Sequence, residues 1–261
     1  MEVLCVGMYR ACSTWQYNIC AELVERKMGG DRLGFVEGAR YQLPGEQVDG
    51  PWRVLKAHEG HESFTRVLGE GRARGVYSRR DLRDVTFSIM HKFSKSFDEV
   101  VAPGGMLESC LRSDRYWASL PNVLYQSYER IVADPVGAIL QIADHLDFDV
   151  LAAEARELAE EFSAARNRER ADGLARELRA GGVDLADPRN VLSYHARTLL
   201  HWNHLRDGAV GDWRRIASPE QQETLARICG PWLRANGYDD VARGSVGVGI
   251  EPTCPSGELV F

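Results

Sequence analysis

Cys5-Val6-Gly7-Met8-Tyr9-Arg10-Ala11-Cys12-Ser13-Thr14-Trp15 is the stretch whose reading decides the fold. The apolar run Val3 to Val6 reads as a short buried strand, and Thr14 to Met28 reads as a helix with Trp15, Ile19, Leu23 and Val24 as its apolar positions. Strand, tight loop and helix follow one another. A helix N-terminus presents unpaired backbone N–H groups and the positive end of a dipole, to which Ser13, Thr14 and Arg10 add hydroxyl and guanidinium donors. The loop suits an anion, most of all a phosphate, although an ordinary N-capped first βα turn has the same outline.

Composition sets the outer limits. The chain has 261 residues, 44% hydrophobic and 27% charged, as expected of one globular domain with a sizeable core. Its formal net charge of -6 argues against whole-surface attraction to nucleic acid, while local Arg clusters can still bind a small anion. Cys5, Cys12, Cys20, Cys110, Cys229 and Cys254 form no Cys-x-x-Cys pair and read as free thiols of a reducing compartment. No basic leader precedes an apolar core at the N-terminus, and no run reaches the roughly 18 apolar residues of a membrane span. A soluble cytoplasmic protein is expected.

Further along, Asp31 to Gly50 reads as a Gly-rich and polar loop, and a strand resumes at Trp52 to Lys56. Lys56, His58 and His61 then lie at or just beyond a strand end, where ligands collect in open parallel sheets. His58 follows the strand directly and is the better candidate; His61 reads as a loop residue. A helix over Glu62 to Gly71 and a strand over Gly75 to Ser78 lead to Arg80 at the strand end and Ser88 inside a helix from Asp84 to Phe93. Eight residues apart, these two reach one phosphate only if the chain folds back between them; otherwise they are a solvated arginine and a helix serine.

Gly104 to Ala118 reads as a helix, Asn122 to Tyr125 as a fourth strand, and Pro135 opens an amphipathic helix through Leu146. Alternating strands and helices predict an α/β fold, a three-layer sandwich around a mostly parallel sheet. Val150 to Arg179 reads as one or two charged surface helices. Residues 189 to 205 carry few regular signals, and His201-Trp202-Asn203-His204 is a weak metal motif. Ser218, Pro219 and Gln221 form the cap of a helix to about Ala235.

Five of these pieces, in the same order, are similar to the PAPS-dependent sulfotransferases, in which 3′-phosphoadenosine 5′-phosphosulfate (PAPS) donates a sulfonate. Met8-Tyr9-Arg10-Ala11-Cys12-Ser13-Thr14-Trp15 resembles their loop Tyr-Pro-Lys-Ser-Gly-Thr-Thr-Trp, and Lys56-Ala57-His58 resembles Lys-Thr-His. Arg80 to Ser88 keeps the spacing of Arg-Asn-Pro-Lys-Asp-Val-x-x-Ser. Tyr128 to Pro135 resembles Tyr-Glu-Asp-Leu-x-x-Asp-Pro, and Arg206 to Trp213 resembles Arg-Lys-Gly-x-x-Gly-Asp-Trp. The resemblance implies a P-loop-like phosphate-binding loop within a domain over residues 1–240; the Gly- and Pro-containing tail over 241–261 reads as an irregular extension.

It also implies roles. His58 would be the general base, with His61 as the other choice, and Arg10 and Lys56 would stabilise charge on the departing phosphate. Arg10, Ala11, Cys12, Ser13 and Thr14 would hold the 5′-phosphosulfate; Arg80, Ser88, Arg206 and Gly208 the 3′-phosphate. Trp15 and Tyr128 would contact adenine, or else pack in the core. Departures are Arg10 for Lys, Asp207 for Lys, and Cys12 for Gly, which predicts that position 12 needs no positive φ here. The loop lacks the Gly-Lys-Ser/Thr ending that organises Mg²⁺ in P-loop kinases, so metal-free sulfonate transfer is expected. The expected acceptor is a small hydroxylated or phenolic molecule. An ATP-dependent small-molecule kinase and a non-catalytic nucleotide binder on the same fold remain as alternatives; oligomeric state is not readable.

Overall fold

The computed structural model describes residues 1–41, 51–203 and 209–238. The opening stretch folds as read. Strand β1 (Glu2–Gly7) enters a five-residue loop, and helix α1 (Ser13–Met28) starts one residue earlier than the pattern predicts. Asp31–Phe35, expected to be loop, is strand β2. It is the edge of the sheet, its residues are half-buried or exposed, and its register shifts between Arg32 and Gly34, so it lacks the apolar run that marks the buried strands.

Strand β3 (Arg53–Lys56), helix α2 (Glu62–Gly69) and strand β4 (Ala73–Arg79) follow. Helix α3 (Leu82–Phe93) begins ahead of the predicted Asp84, because Asp81 Oδ1 accepts the Arg83 N–H at 2.9 Å and so caps it. A short helix α4 (Phe97–Val101) was not predicted; Ser96 and Glu99 close a capping box at its start. Helix α5 (Met106–Ala118), strand β5 (Val123–Ser127), and helices α6 (Tyr128–Ala133) and α7 (Pro135–His145) complete the alternation. The charged segment becomes α8 (Ala152–Glu161) and α9 (Ala164–Ala180). Residues 188–203 contribute a 3₁₀ turn and a Tyr194–His201 bridge, and α10 (Trp213–Ile216) precedes α11 (Pro219–Ala235), which carries the predicted Ser218/Gln221 capping box. The expected extension 241–261 lies outside the described residues.

All strand pairs are parallel, in the order β2-β3-β1-β4-β5. Period-two alternation sends Leu4, Val6, Leu55 and Tyr77 to one core and Val3, Cys5, Val54 and Val76 to the other. Helices cover both faces, giving the predicted three layers. The chain leaves β3 on one side of β1 and re-enters at β4 on the other, so the sheet has its switch point at β1. Register then aligns the carboxyl ends: Cys5 stands beside Lys56, Gly7 beside Ser78, and Arg79 beside Ser127. The loops that leave these ends lie at the edge of the sheet where open parallel sheets place their ligands. Among the described residues, no helix is long and apolar enough to cross a membrane, and Cys5, Cys12, Cys20, Cys110 and Cys229 are free thiols.

Candidate active site

The first loop is held tightly against β4. Met8 N–H donates to Ser78 O at 3.0 Å, and a Cβ on Gly7 would lie 2.3 Å from Ser78 Oγ, so only glycine permits this approach. Arg10 (φ 66°) and Cys12 (φ 72°) are both left-handed. This corrects the expectation for position 12: cysteine takes the conformation that glycine usually supplies, at a cost of about 1–2 kcal/mol. Cys12 is the N-cap residue of α1 yet provides no side-chain hydrogen bond, and the first turn holds no acidic side chain. The helix therefore presents its positive end beside buried Ser13 and Thr14. Burial pushes the Cys12 thiol up to about 12, so it stays protonated at neutral pH.

Arg10 joins the two distant pieces of sequence. Its Nε donates to Ser88 Oγ at 3.0 Å, and its carbonyl accepts from Arg80 at 3.4 Å. Arg80, 5% exposed, also donates to Ala209 O at 3.0 Å, pairs with Asp84 at 3.5 Å and lies over the Tyr128 ring at 4.0 Å. Its Nε is buried without a hydrogen-bond partner among the described residues. An orphaned, buried guanidinium donor beyond the carboxyl end of β4 is what a phosphate oxygen would satisfy. Tyr128, expected to contact adenine, is buried with one ring face against Arg80. Trp15 packs against the core built by α1, α7 and α8. Arg206 and Gly208 lie outside the described residues, but the end of their loop is fixed: Asp84, 2% exposed, accepts the N–H groups of Gly211 at 2.7 Å and Trp213 at 3.0 Å.

On the other side of β1, Lys56 Nζ and His58 Nε2 are 2.9 Å apart, and His58 Nδ1 is 2.9 Å from Gly7 O. A carbonyl only accepts, so Nδ1 carries the proton and Nε2 the lone pair, which takes a hydrogen bond from Lys56. Ser113 Oγ and Trp117 Nε1 on α5 donate to the His58 carbonyl at 2.8 and 3.2 Å, and the Tyr9 ring lies tilted against the imidazole, 4.7 Å between centroids. Burial, then the Lys56 charge, lowers His58 to about 3, so the ring is neutral. Burial likewise lowers Lys56 to about 8. His61 is committed elsewhere: its Nδ1 accepts the Ser63 N–H at 3.2 Å and caps α2.

Two further groups stand here that the sequence reading did not select. Lys92, 5% exposed, lies four residues beyond Ser88 on α3, and His201 comes from the bridge with Tyr194. Burial, then Arg10, lowers Lys92 to about 7; burial, then Lys92, Lys56 and Arg10, lowers His201 to about 3. The i, i+4 relation to Ser88 was visible in the sequence; the approach of His201 was not. Among the described residues no His, Cys, Asp and Glu cluster has metal-site geometry.

A sulfotransferase domain model matches residues 45–237. The chain belongs to the sulfotransferase family. This is the family that the five motifs resemble, although the matched region starts beyond the first loop. An amine sulfotransferase of Oryctolagus cuniculus is 24% identical over 217 residues, 76% of this chain and 66% of that one, so the chain spans about two thirds of that relative's length. A mouse sulfotransferase solved in complex with PAP superposes with a TM-score of 0.60 at 17% identity, over 89% of this chain and 84% of that one. Retinol dehydratase, solved with retinol and PAP, gives 0.61 at 20% identity over 94% and 83%.

Proposed function

We propose that the protein transfers the sulfonate of PAPS to a hydroxyl group of a small-molecule acceptor, with His58 as the general base. One observation carries this reading: a neutral imidazole, fixed in its Nδ1–H tautomer by Gly7 O, has its Nε2 lone pair beside Lys56 at the strand-end crevice. The basic surroundings fit PAPS, since the orphaned Arg80 donor and the uncapped α1 terminus both call for an anion. PAPS would supply the sulfonate and a phosphate leaving group.

The residues divide the work. The α1 N-terminus, Ser13 and Thr14 receive the 5′ end, and Arg80 and Ser88 the 3′-phosphate. Ser88 also orients Arg10, a permanent cation that donates no proton at ordinary pH, so its contribution is electrostatic. Lys56 has two tasks. While it bonds to Nε2 it blocks the base; once anionic oxygens attract its ammonium, the lone pair is released to take the acceptor's hydroxyl proton. The same anions lift His58 from its depressed value toward useful basicity.

Support also comes from the relatives, which include an amine sulfotransferase and two proteins solved with PAP. Calorimetric titration decides it: PAP should bind more tightly than ADP or ATP·Mg²⁺, and a preference for ATP·Mg²⁺ would return the kinase alternative.

A further inference from the structure

The turn between β4 and α3, which carries Arg80, is held by the end of α11. Gly237 (φ 75°) reverses the chain there, and the Tyr238 N–H returns to Leu233 O at 2.9 Å, which fixes Tyr238 against the helix end. Tyr238 is 7% exposed, and its ring stacks on Trp232 with 5.4 Å between centroids. The turn is met on both flanks: Arg79 donates to Asn236 Oδ1, and Arg83 donates to Tyr238 O at 2.9 Å. Between them the Asp81 N–H donates to Glu129 Oε1 at 3.0 Å, and the other oxygen of that carboxylate accepts the Tyr238 hydroxyl at 3.0 Å. Glu129, on α6, is thus a bridge from Tyr238 to the peptide that follows Arg80. Burial pushes its carboxyl up, while the N–H groups of Asp81 and of Glu129 itself and the Tyr238 hydroxyl act against that shift, so these donors favour the anionic acceptor. Arg80 takes no part in this chain of bonds. Its side chain meets Arg10 O, Ala209 O and Asp84 instead, and its Nε is the orphaned donor.

We propose that Glu129 and Tyr238 are positioning residues for the 3′-phosphate: they pin the peptide between Arg80 and Asp81 and so hold the Arg80 guanidinium where its Nε meets the phosphate. The proposal rests on the assignment of Arg80 to the 3′-phosphate of PAPS. A binding group must be held within about 0.5 Å of its productive place. The arginine side chain is long, so its aim depends on the backbone beneath it, and a bond to a carboxylate is the stronger kind with which to fix that backbone. Two residues far from Arg80 in sequence thereby act on recognition through it.

The test compares PAP with adenosine 5′-monophosphate (AMP), which differ only in the 3′-phosphate, by calorimetry on the full chain. PAP should bind the wild-type protein about tenfold or more tightly, and Arg80→Gln should remove most of that preference. If either fails, the 3′-phosphate assignment falls and the proposal falls with it. Where both hold, Tyr238→Phe and Glu129→Ala should each weaken PAP binding by about threefold to thirtyfold, while AMP affinity changes by less than about twofold. Glu129→Gln, which keeps a carbonyl oxygen for the Asp81 N–H, should recover part of the loss. Added to Arg80→Gln, Tyr238→Phe should have no further effect on PAP, because both act on one contact. Parallel losses for PAP and AMP, or a full Tyr238→Phe effect in the Arg80→Gln background, would mark a merely structural brace and overturn the proposal. Unchanged PAP affinity in either single variant overturns it too, and in that case the assignment of Arg80 stands. Tyr238→Phe deletes a single oxygen atom, so its PAP-against-AMP split decides the question should the larger changes fail to fold.

Discussion

His58 holds its two ring nitrogens to different tasks: Nδ1–H is spent on Gly7 O, and Nε2 is shared with Lys56. His58→Ala removes the proposed base and leaves the proposed phosphate anchors untouched. It should lower kcat by about 10²- to 10⁴-fold while PAP affinity, measured by calorimetry, stays within a few-fold. Unchanged turnover would move the base elsewhere. Cys12 offers a separate test at the same scale. Because its backbone already sits at φ 72°, Cys12→Gly should leave the urea unfolding midpoint nearly unchanged or raise it, whereas Cys12→Val places a β-branched residue in the left-handed region and should cost about 1–2 kcal/mol or more. This conformation left no trace in the sequence, since a cysteine at a glycine position reads as a residue that does not need positive φ. His61 shows the same limit: beside Lys56 and His58 it looked like an alternative base, and only the hydrogen bond from Ser63 reveals it as a helix cap.

At the scale of elements, the legible parts were those with local causes. The strands at Val3 to Val6 and ending at Lys56, and the Ser218 capping box, are each signalled within a few residues, and each formed where expected. The edge strand β2 did not, because half-exposed Asp31-Arg32-Leu33-Gly34-Phe35 has no reason to be apolar. Contacts between distant elements were least legible, and Asp84 is the clearest case. It read as the start of a helix; in the fold it lies in the first turn of α3, accepts two N–H groups from the loop before α10 and pairs with Arg80. Asp84→Ala strands two buried donors, each worth about 1–3 kcal/mol when unmet. Urea unfolding should show a loss of at least about 2 kcal/mol, and PAP binding should weaken because Arg80 loses its anchor. Asp84→Asn keeps one carbonyl acceptor and should fall between. A stability change below about 0.5 kcal/mol in Asp84→Ala would mean that the late loop is held by other contacts.

For the molecule as a whole, a chain of net charge -6 gathers Arg10, Lys56, Lys92, His58 and His201 from four separate segments at one crevice. Sheet register and α3 packing hold these groups together against burial and their mutual repulsion, and the result is written in their protonation: Lys56 is lowered to about 8 and Lys92 to about 7. An anion bound among them raises both, so binding takes up protons wherever the free protein has already lost them. The sign follows. Below pH 7 both ammonium groups are charged before binding and contribute fully. As pH rises through about 7 and then 8, the free protein must first recover those protons, and PAP affinity falls by up to about tenfold per pH unit for each group. Calorimetry at pH 8 in phosphate and in Tris should therefore give different apparent enthalpies, corresponding to uptake of at least about half a proton per PAP. Lys92→Met should reduce that uptake and Lys56→Met should reduce it further, while Lys95→Met, which removes an exposed cation paired with Glu99 on the surface, should leave it unchanged. Buffer-independent enthalpies and a flat affinity from pH 6.5 to 9 would show that the cationic cluster does not bind the phosphates.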